Sequence, residues 1–291
     1  MSATVLLSGL PGEMCYEVAK AALRCGFSLS EKHLTGPKTV VPLWVRAHQE
    51  VHIAEAGKRA EVQVVCADDA AQQRCVLEEA RARYGENLVV VDFTHATSVN
   101  KNAEMYAAVG IDFVMGTTGG DREELMRVTE ASGVYAVIAP NMSKQAIAME
   151  AALAHIADTF PGAFSGFELE VAESAPEGKP SRNVAGQPIV AAFRSMGAAF
   201  SDDNVKEIRD RVGSTKMGVP EESLQSHVFQ SYALRTADGS ATLRLDSQFC
   251  GLGYLADSAI DAVTFLLAMK AAKESKKVYA MTDVMAFHPS H

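Results

Sequence analysis

Long apolar runs are missing from this 291-residue sequence. Hydrophobic residues make up 48% of it and the mean hydropathy is +0.02, yet no run approaches the roughly 20 apolar residues a membrane-spanning helix needs. A membrane-spanning architecture is therefore not expected, and the composition is that of a globular chain rather than a disordered one. Basic excess is also missing. Lys and Arg number 27 against 36 Asp and Glu, for a formal charge of −9, which argues against nucleic acid as the main partner. The five cysteines, Cys15, Cys25, Cys66, Cys75 and Cys250, form no CxxC and no metal-ligand spacing. No metal site is expected from them, and they read as reduced, mostly buried thiols. Internal repeats and low-complexity segments are absent. Met1–Thr4 leads straight into a strand without a signal or transit segment, so the expectation is a cytosolic protein, or an organellar one after removal of a transit peptide.

What the sequence does contain is organised around residues 89–120. Val89-Val90-Val91-Asp92-Phe93-Thr94 is an apolar run closed by polar turn residues, the pattern of a strand buried on both faces of a parallel sheet. Val99, Ala103, Tyr106 and Ala107 then recur at helical spacing. Ile111–Met115 is a second strand, ending in Gly116-Thr117-Thr118-Gly119. Strand, helix and strand in about 30 residues make one βαβ unit. Ligands of such sheets sit at the carboxyl ends of strands. Both the Asp-Phe-Thr and the Gly-Thr-Thr-Gly turns fall there, as the floor of a cofactor site.

A strand at Thr4–Ser8 runs into Gly9-Leu10-Pro11-Gly12-Glu13-Met14-Cys15 and a helix to about Cys25. Glycines at such a turn let a backbone approach a pyrophosphate, and the helix N-terminus offers free N–H groups. Glu13 opposes this, since its carboxylate would repel a phosphate while stabilising the bare helix start. Gly26–Leu34 is a second strand. At its end Glu31 could take a ribose hydroxyl, while Lys32, His33 and Thr35 could take a 2′-phosphate, so NADH and NADPH both stay open. Residues 37–60 read as loop and short strand around the single tryptophan, Trp44. Glu61–Cys66 reads as a strand and Ala70–Tyr84 as a helix with a solvated charged face. His48, His52 and His95 have no assignable partner.

Asp121 is a plausible cap for a helix over Asp121–Ala131, and Val134–Ala139 reads as a strand. Asn141 lies in a hinge before a helix at Ala146–Thr159. A first domain over 1–142, with 256–291 returning to it, and a second over 143–255 follow from this pattern. The second holds a strand at Phe167–Glu173, a loop to Gln187, a helix from Pro188 and a β-rich stretch from Glu207 to Cys250. A helix at Ala256–Ser275 and a strand at Lys277–Met281 close the chain.

Nearly end to end, the chain resembles the dihydrodipicolinate reductase family of diaminopimelate and lysine synthesis, in its plant-type branch. The resemblance is carried by Val91-Asp92-Phe93-Thr94, Phe113–Arg122, Tyr135–Pro140 and Phe160–Phe167. Leu169-Glu170-Val171, Val219–Glu222, Asp261-Ala262-Val263 and Met281–Val284 extend it. It implies an α/β protein with a Rossmann-like dinucleotide-binding domain and a mixed α+β substrate and oligomerisation domain. Domain closure, NADPH or NADH as cofactor, a small-molecule substrate and a homo-oligomer, dimer or tetramer, are implied with it. It places the cofactor over Gly9, Gly12, Met14, Phe93, Thr94, Gly116, Thr117, Thr118 and Asn141.

The departures from the family pattern fall in the substrate loop. The family follows Glu173-Ser174 with a histidine that, with a lysine, holds the cyclic imine's carboxylates and protonates its nitrogen. A Ser-Gly-Thr turn holds the other carboxylate. Here Ala175 stands in the histidine's place, Lys179 keeps the lysine's spacing, and the turn reads Ala185-Gly186-Gln187. Glu177 adds negative charge, and Leu252 follows Cys250-Gly251 where the family has arginine. The resemblance therefore leaves Lys179 as the catalytic candidate, with Ser174, Lys179, Arg182, Gly186 and Gln187 as substrate-binding candidates. Three readings compete: a reductase with a changed substrate, a non-catalytic binding or assembly protein, and a genuine dihydrodipicolinate reductase.

Overall fold

The computed structural model describes residues 3–35, 50–65, 69–179 and 187–287. Trp44, His48, Cys66, Arg182 and Gly186, singled out above, lie outside the described residues. The chain divides into two compact units, residues 1–144 with 252–291, and residues 145–251. No described helix is long and apolar enough to cross a membrane.

The first unit is built on a parallel sheet. Strands β1 (Thr4–Ser8), β2 (Ser28–Leu29), β3 (Lys32–Leu34), β4 (Glu50–Glu55), β5 (Lys58–Val65), β6 (Leu88–Asp92), β7 (Asp112–Met115), β8 (Ala136–Ile138) and β13 (Val278–Tyr279) join in the order β13-β8-β7-β6-β1-β3-β5-β4, with β2 also beside β1. Only β4 runs antiparallel, as the outer arm of a hairpin with β5. β1, β6, β7 and β8 are buried along their whole length, as a sheet covered on both faces requires. Helices α1 (Glu13–Arg24), α2 (Ala70–Tyr84), α3 (Val99–Val109), α4 (Arg122–Ser132) and α8 (Gly253–Ala271) cover it. Leu6, Val90, Phe113 and Ala136 meet Leu77, Tyr106 and Leu125 of the helices on one face. Helix α9 (Met281–Ala286) ends the described chain.

Asp121 caps α4, as expected, by accepting from the Glu124 N–H at 3.1 Å. Other expectations are corrected. His95, without an assignable partner in the sequence, has one in Thr97: it accepts from the Thr97 N–H and so starts the single turn before α3. In the described part of residues 37–60, read as loop and short strand, the short strand is Glu50–Glu55, and the next strand starts at Lys58 rather than Glu61, because Val51 and Ile53 alternate inward and a two-residue Ala56-Gly57 turn, both at positive φ, closes a hairpin. Of the four described cysteines only Cys15 is buried; Cys25, Cys75 and Cys250 are exposed.

The second unit carries a mixed four-stranded sheet, β10 (Val205–Ile208), β9 (Phe167–Ser174), β11 (His227–Thr236) and β12 (Thr242–Cys250), in that order. β9 and β10 are parallel and the other pairs antiparallel. Its core sets Leu169, Val171, Tyr232 and Leu234 against Leu153 of α5 (Lys144–Thr159) and Val190 and Phe193 of α6 (Pro188–Ser195). The short helix α7 (Arg211–Lys216) follows β10.

Candidate active site

The strand register sets Leu34, Ser8, Asp92, Met115 and Ile138 abreast. The turns that follow Ser8, Asp92, Met115 and Ile138 therefore line one edge of the sheet, at carboxyl ends where α/β sheets bind ligands. Gly9, Gly12, Phe93, Thr94, Gly116, Thr117, Thr118 and Asn141 are brought together there. Gly9 sits at φ +125°, and a Cβ on it would strike the Phe93 carbonyl and the Cys15 thiol. Its N–H and that of Leu10 are both taken by the Leu34 carbonyl, at 2.8 and 3.1 Å. The first turn of α1 behind Gly12 has no side-chain cap, so its backbone N–H groups are the donors available to an anion. Met14 is half-buried in that turn, and Glu13 is exposed.

Cys15 lies under this turn rather than in it. Its fully buried thiol donates to the Ser8 carbonyl at 3.3 Å. Burial first, and then the Asp92 charge, push the thiol up from its ordinary value, so it stays protonated. Cys15 is thus no obstacle to a nucleotide.

The Phe93 ring packs where a Cβ on Gly116 would have to be, and the Ala96 methyl group does the same at Gly119. Asn100 zips to Asp121 by two hydrogen bonds of 2.8 Å. Asp92, fully buried, gathers the two turns. Its Oδ1 accepts from the Thr94 N–H (3.0 Å), the Thr94 hydroxyl (2.7 Å) and the Thr117 hydroxyl (2.9 Å). Its Oδ2 accepts from Asn102 Nδ2 and the Tyr106 hydroxyl, both at 2.7 Å. Burial, followed by the Asp92 charge, holds the Tyr106 phenol well above its ordinary value, keeping it a donor. The uncapped helix start, the glycine floor and the two threonines fit a dinucleotide.

The residues expected to choose between NADH and NADPH are paired with other side chains or buried. Strand β3 ends at Leu34, so Glu31 and Lys32 precede its end. Glu31 pairs with Arg83, and Lys32 with Glu79 at 2.6 Å. His33 is fully buried, and its Nδ1 accepts from the Leu7 N–H at 2.8 Å. The imidazole fills the gap where the chain leaves β1 between β2 and β3. Thr35 stands at the strand end and is buried.

In the second unit, β9 carries the fully buried Glu173 one residue before its end. A buried carboxylate needs a partner, and Arg209 supplies it, with Nη2 2.5 Å from Oε1. Arg209 Nε also donates to the Lys179 carbonyl at 3.2 Å, and Nη1 to the carbonyls of Glu173 and Ile208. One guanidinium therefore ties the strand end to the loop. Arg209 was missed from sequence, where only the acid at the end of an alternating strand hinted at a cation. Lys179 closes a turn through its N–H to the Pro176 carbonyl at 3.1 Å, and its side chain is exposed. Glu177 is exposed as well. Ala175 is buried.

Ser174 does not face outward. Its hydroxyl is fully buried, 2.9 Å from the Ser214 hydroxyl and 2.8 Å from His227 Nε2. Gln187, just before α6, accepts at Oε1 from the Tyr232 hydroxyl (2.7 Å) and from Gln230 Nε2 (3.2 Å). Gln230 also donates to Glu173 Oε2 at 3.1 Å. Burial, then Glu173 and Glu150, raise the Tyr232 phenol above its ordinary value, so it remains a donor to Gln187.

Residues 3–142 match the family described as dihydrodipicolinate reductase, N-terminus. The chain is 34% identical over 285 residues to 4-hydroxy-tetrahydrodipicolinate reductase 2, chloroplastic, of Arabidopsis thaliana, covering 97% of this chain and 77% of that protein. The chain belongs to the dihydrodipicolinate reductase family. A probable 4-hydroxy-tetrahydrodipicolinate reductase 2, chloroplastic, of Oryza sativa subsp. japonica is 35% identical, over 97% of this chain and 82% of that one. The dipicolinate-bound dihydrodipicolinate reductase from Paenisporosarcina sp. TG-14 shares the fold, with a TM-score of 0.61 at 14% identity over 96% of this chain and 98% of that structure. Dihydrodipicolinate reductases are NAD(P)H-dependent reductases, and the cofactor is NADPH or NADH.

Proposed function

We propose that this member of the family reduces the C=N bond of a small cyclic imine, or a related carboxylated compound, that differs from 4-hydroxy-tetrahydrodipicolinate. The observation that carries this is Ala175, buried at the family's histidine position, where a methyl group can neither bind a carboxylate nor deliver a proton. The nicotinamide, when bound, supplies the hydride. Lys179, held by the Arg209 clamp on its carbonyl with its ammonium exposed, pairs with a substrate carboxylate or protonates the nitrogen. Arg182, Gly186 and Gln187 complete the binding loop. The Ser174 hydroxyl is committed to Ser214 and His227, so it supports the loop base instead. Gly9, Gly12, Met14, Phe93, Thr94, Gly116, Thr117, Thr118 and Asn141 serve the cofactor.

A homo-oligomer, dimer or tetramer, belongs to the same reading. It is supported by β12, which pairs only with β11 among the described residues and so leaves a long strand edge open.

Identity of 34–35% over 97% of the chain favours a second reading, a genuine 4-hydroxy-tetrahydrodipicolinate reductase. Steady-state assay separates the two. Loss of one transition-state donor costs about 10²–10³ in rate, so kcat/KM on the family's imine is expected to be lower than that of a plant relative by at least this factor. Turnover equal to the relative's establishes the second reading instead. Absence of both turnover and nucleotide binding leaves a non-catalytic binding protein.

A further inference from the structure

We propose that Asp92 is a positioning residue that orients the Thr94 and Thr117 hydroxyls so that the sheet edge recognises the carboxamide N–H group of a nicotinamide. The inference rests on reading this edge as the dinucleotide site.

A carboxylate only accepts hydrogen bonds. Thr94 Oγ1 lies 2.7 Å and Thr117 Oγ1 2.9 Å from Asp92 Oδ1. Both hydroxyl hydrogens therefore point inward, at the same oxygen. A hydroxyl oxygen has two lone pairs. One on Thr94 takes Asn102 Nδ2 at 3.3 Å, and one on Thr117 takes the Thr94 N–H at 2.8 Å. Each threonine keeps one lone pair with no donor from the described residues, and each is half-buried, hence reachable by a ligand.

The edge thus offers acceptors and no hydroxyl donor at this point. A ligand N–H group is matched. A carbonyl, carboxylate or phosphate oxygen would meet lone pairs with the Asp92 charge behind them. Tyr106 and Asn102 hold Oδ2 from below, so the carboxylate cannot swing away to release the threonines. An asparagine at 92 has one accepting atom and an NH₂ in place of the other. It cannot satisfy five donors, so at least one hydroxyl must reverse or lose its partner.

The test compares Kd by calorimetry for three nucleotides: the reduced dinucleotide, its reduced 3-acetylpyridine analogue, whose methyl ketone lacks the N–H donor, and ADP-ribose, which lacks the pyridine ring. Wild type is expected to prefer the carboxamide by about tenfold, the worth of one hydrogen bond in such a setting. In Asp92→Asn the preference falls to near unity while ADP-ribose affinity is unchanged within about twofold. Thr117→Val removes the outward lone pair while the Asp92 carboxylate keeps its other four donors, should lower the preference in the same way, and decides the matter alone if Asp92→Asn does not fold. An unchanged preference in both variants, no preference in wild type, or equal losses for ADP-ribose and dinucleotide overturn the inference. Wild type that binds ADP-ribose without discriminating carboxamide from ketone sinks only the inference. Wild type that binds no nucleotide sinks the dinucleotide reading and the inference together.

Discussion

Arg209 and Glu173 form a buried ion pair that anchors the loop at residues 175–179, Nη2 to Oε1 at 2.5 Å, with the same guanidinium bonded to the Lys179 carbonyl. Removing one partner of a buried pair strands the other charge, at about 3–5 kcal/mol. Arg209→Met is therefore expected to lower the denaturant midpoint strongly. Arg209→Lys should recover part of the stability and less of the activity, because an ammonium lacks the planar fork that reaches strand end and loop together. An unchanged urea melt in Arg209→Met would refute this role for the pair.

Lys179 is the exposed cation among the described residues of the loop, and its backbone is fixed at both N–H and carbonyl. Lys179→Ala should reduce kcat/KM on the true substrate by about 10²–10³. Nucleotide Kd should stay constant, since no nucleotide contact is assigned to this loop. Full activity in the variant would place proton delivery elsewhere.

Ala175→His restores the imidazole of the family pattern. Under the changed-substrate reading it should raise kcat/KM for 4-hydroxy-tetrahydrodipicolinate by about 10²-fold and lower it for the native substrate. Because Ala175 is buried, a thermal melt must accompany the kinetics. A folded variant with no gain argues that Gln187 and Leu252, rather than position 175, exclude that imine.

Glu13 opens helix α1 at the uncapped turn. Exchanging its charge in Glu13→Lys should tighten dinucleotide binding about two- to fivefold, the range of helix-end charge effects. Titration at low and high salt checks it, because the gain must shrink as the exposed charge is screened. Weaker binding in the variant would show that Glu13 contacts the nucleotide favourably.

His33 gives a pH dependence of stability. Burial pushes its imidazole down to about 3, below the unfolded value of about 6.5. The unfolded chain then binds the extra proton first. The contribution is complete above pH 6.5 and is lost as pH falls from 6.5 towards 3, by up to about 1.4 kcal/mol per pH unit. Urea melts at pH 7 and pH 5 should differ more for wild type than for His33→Asn, whose carbonyl can still accept the Leu7 N–H. Equal differences would mean that His33 does not titrate with unfolding.

Much of the first unit was legible locally. Four buried strands announced themselves as short apolar runs, and the turns after them carried Gly, Thr and Asn where a parallel sheet binds ligands. The family pattern was likewise visible as ordered short motifs. Position along the chain says which residues end a strand, so the convergence of Gly9, Thr94, Gly116 and Asn141 could be anticipated.

What each polar side chain faces could not. Glu31 looked like a ribose partner, and Lys32 and His33 like a phosphate site, by type and proximity. Tertiary structure put His33 into a gap of the sheet and gave the other two to Arg83 and Glu79. Ser174 looked like a substrate ligand and became the buried partner of His227, 53 positions away. Asp92 read as the end of a strand, and only folding brought Thr117 and Tyr106 onto its carboxylate. The physical reason is the same each time. Hydrophobic period and turn chemistry are local and written in consecutive residues, whereas a hydrogen bond or ion pair joins groups far apart in sequence, so its partners exist only once the strands have been laid in register.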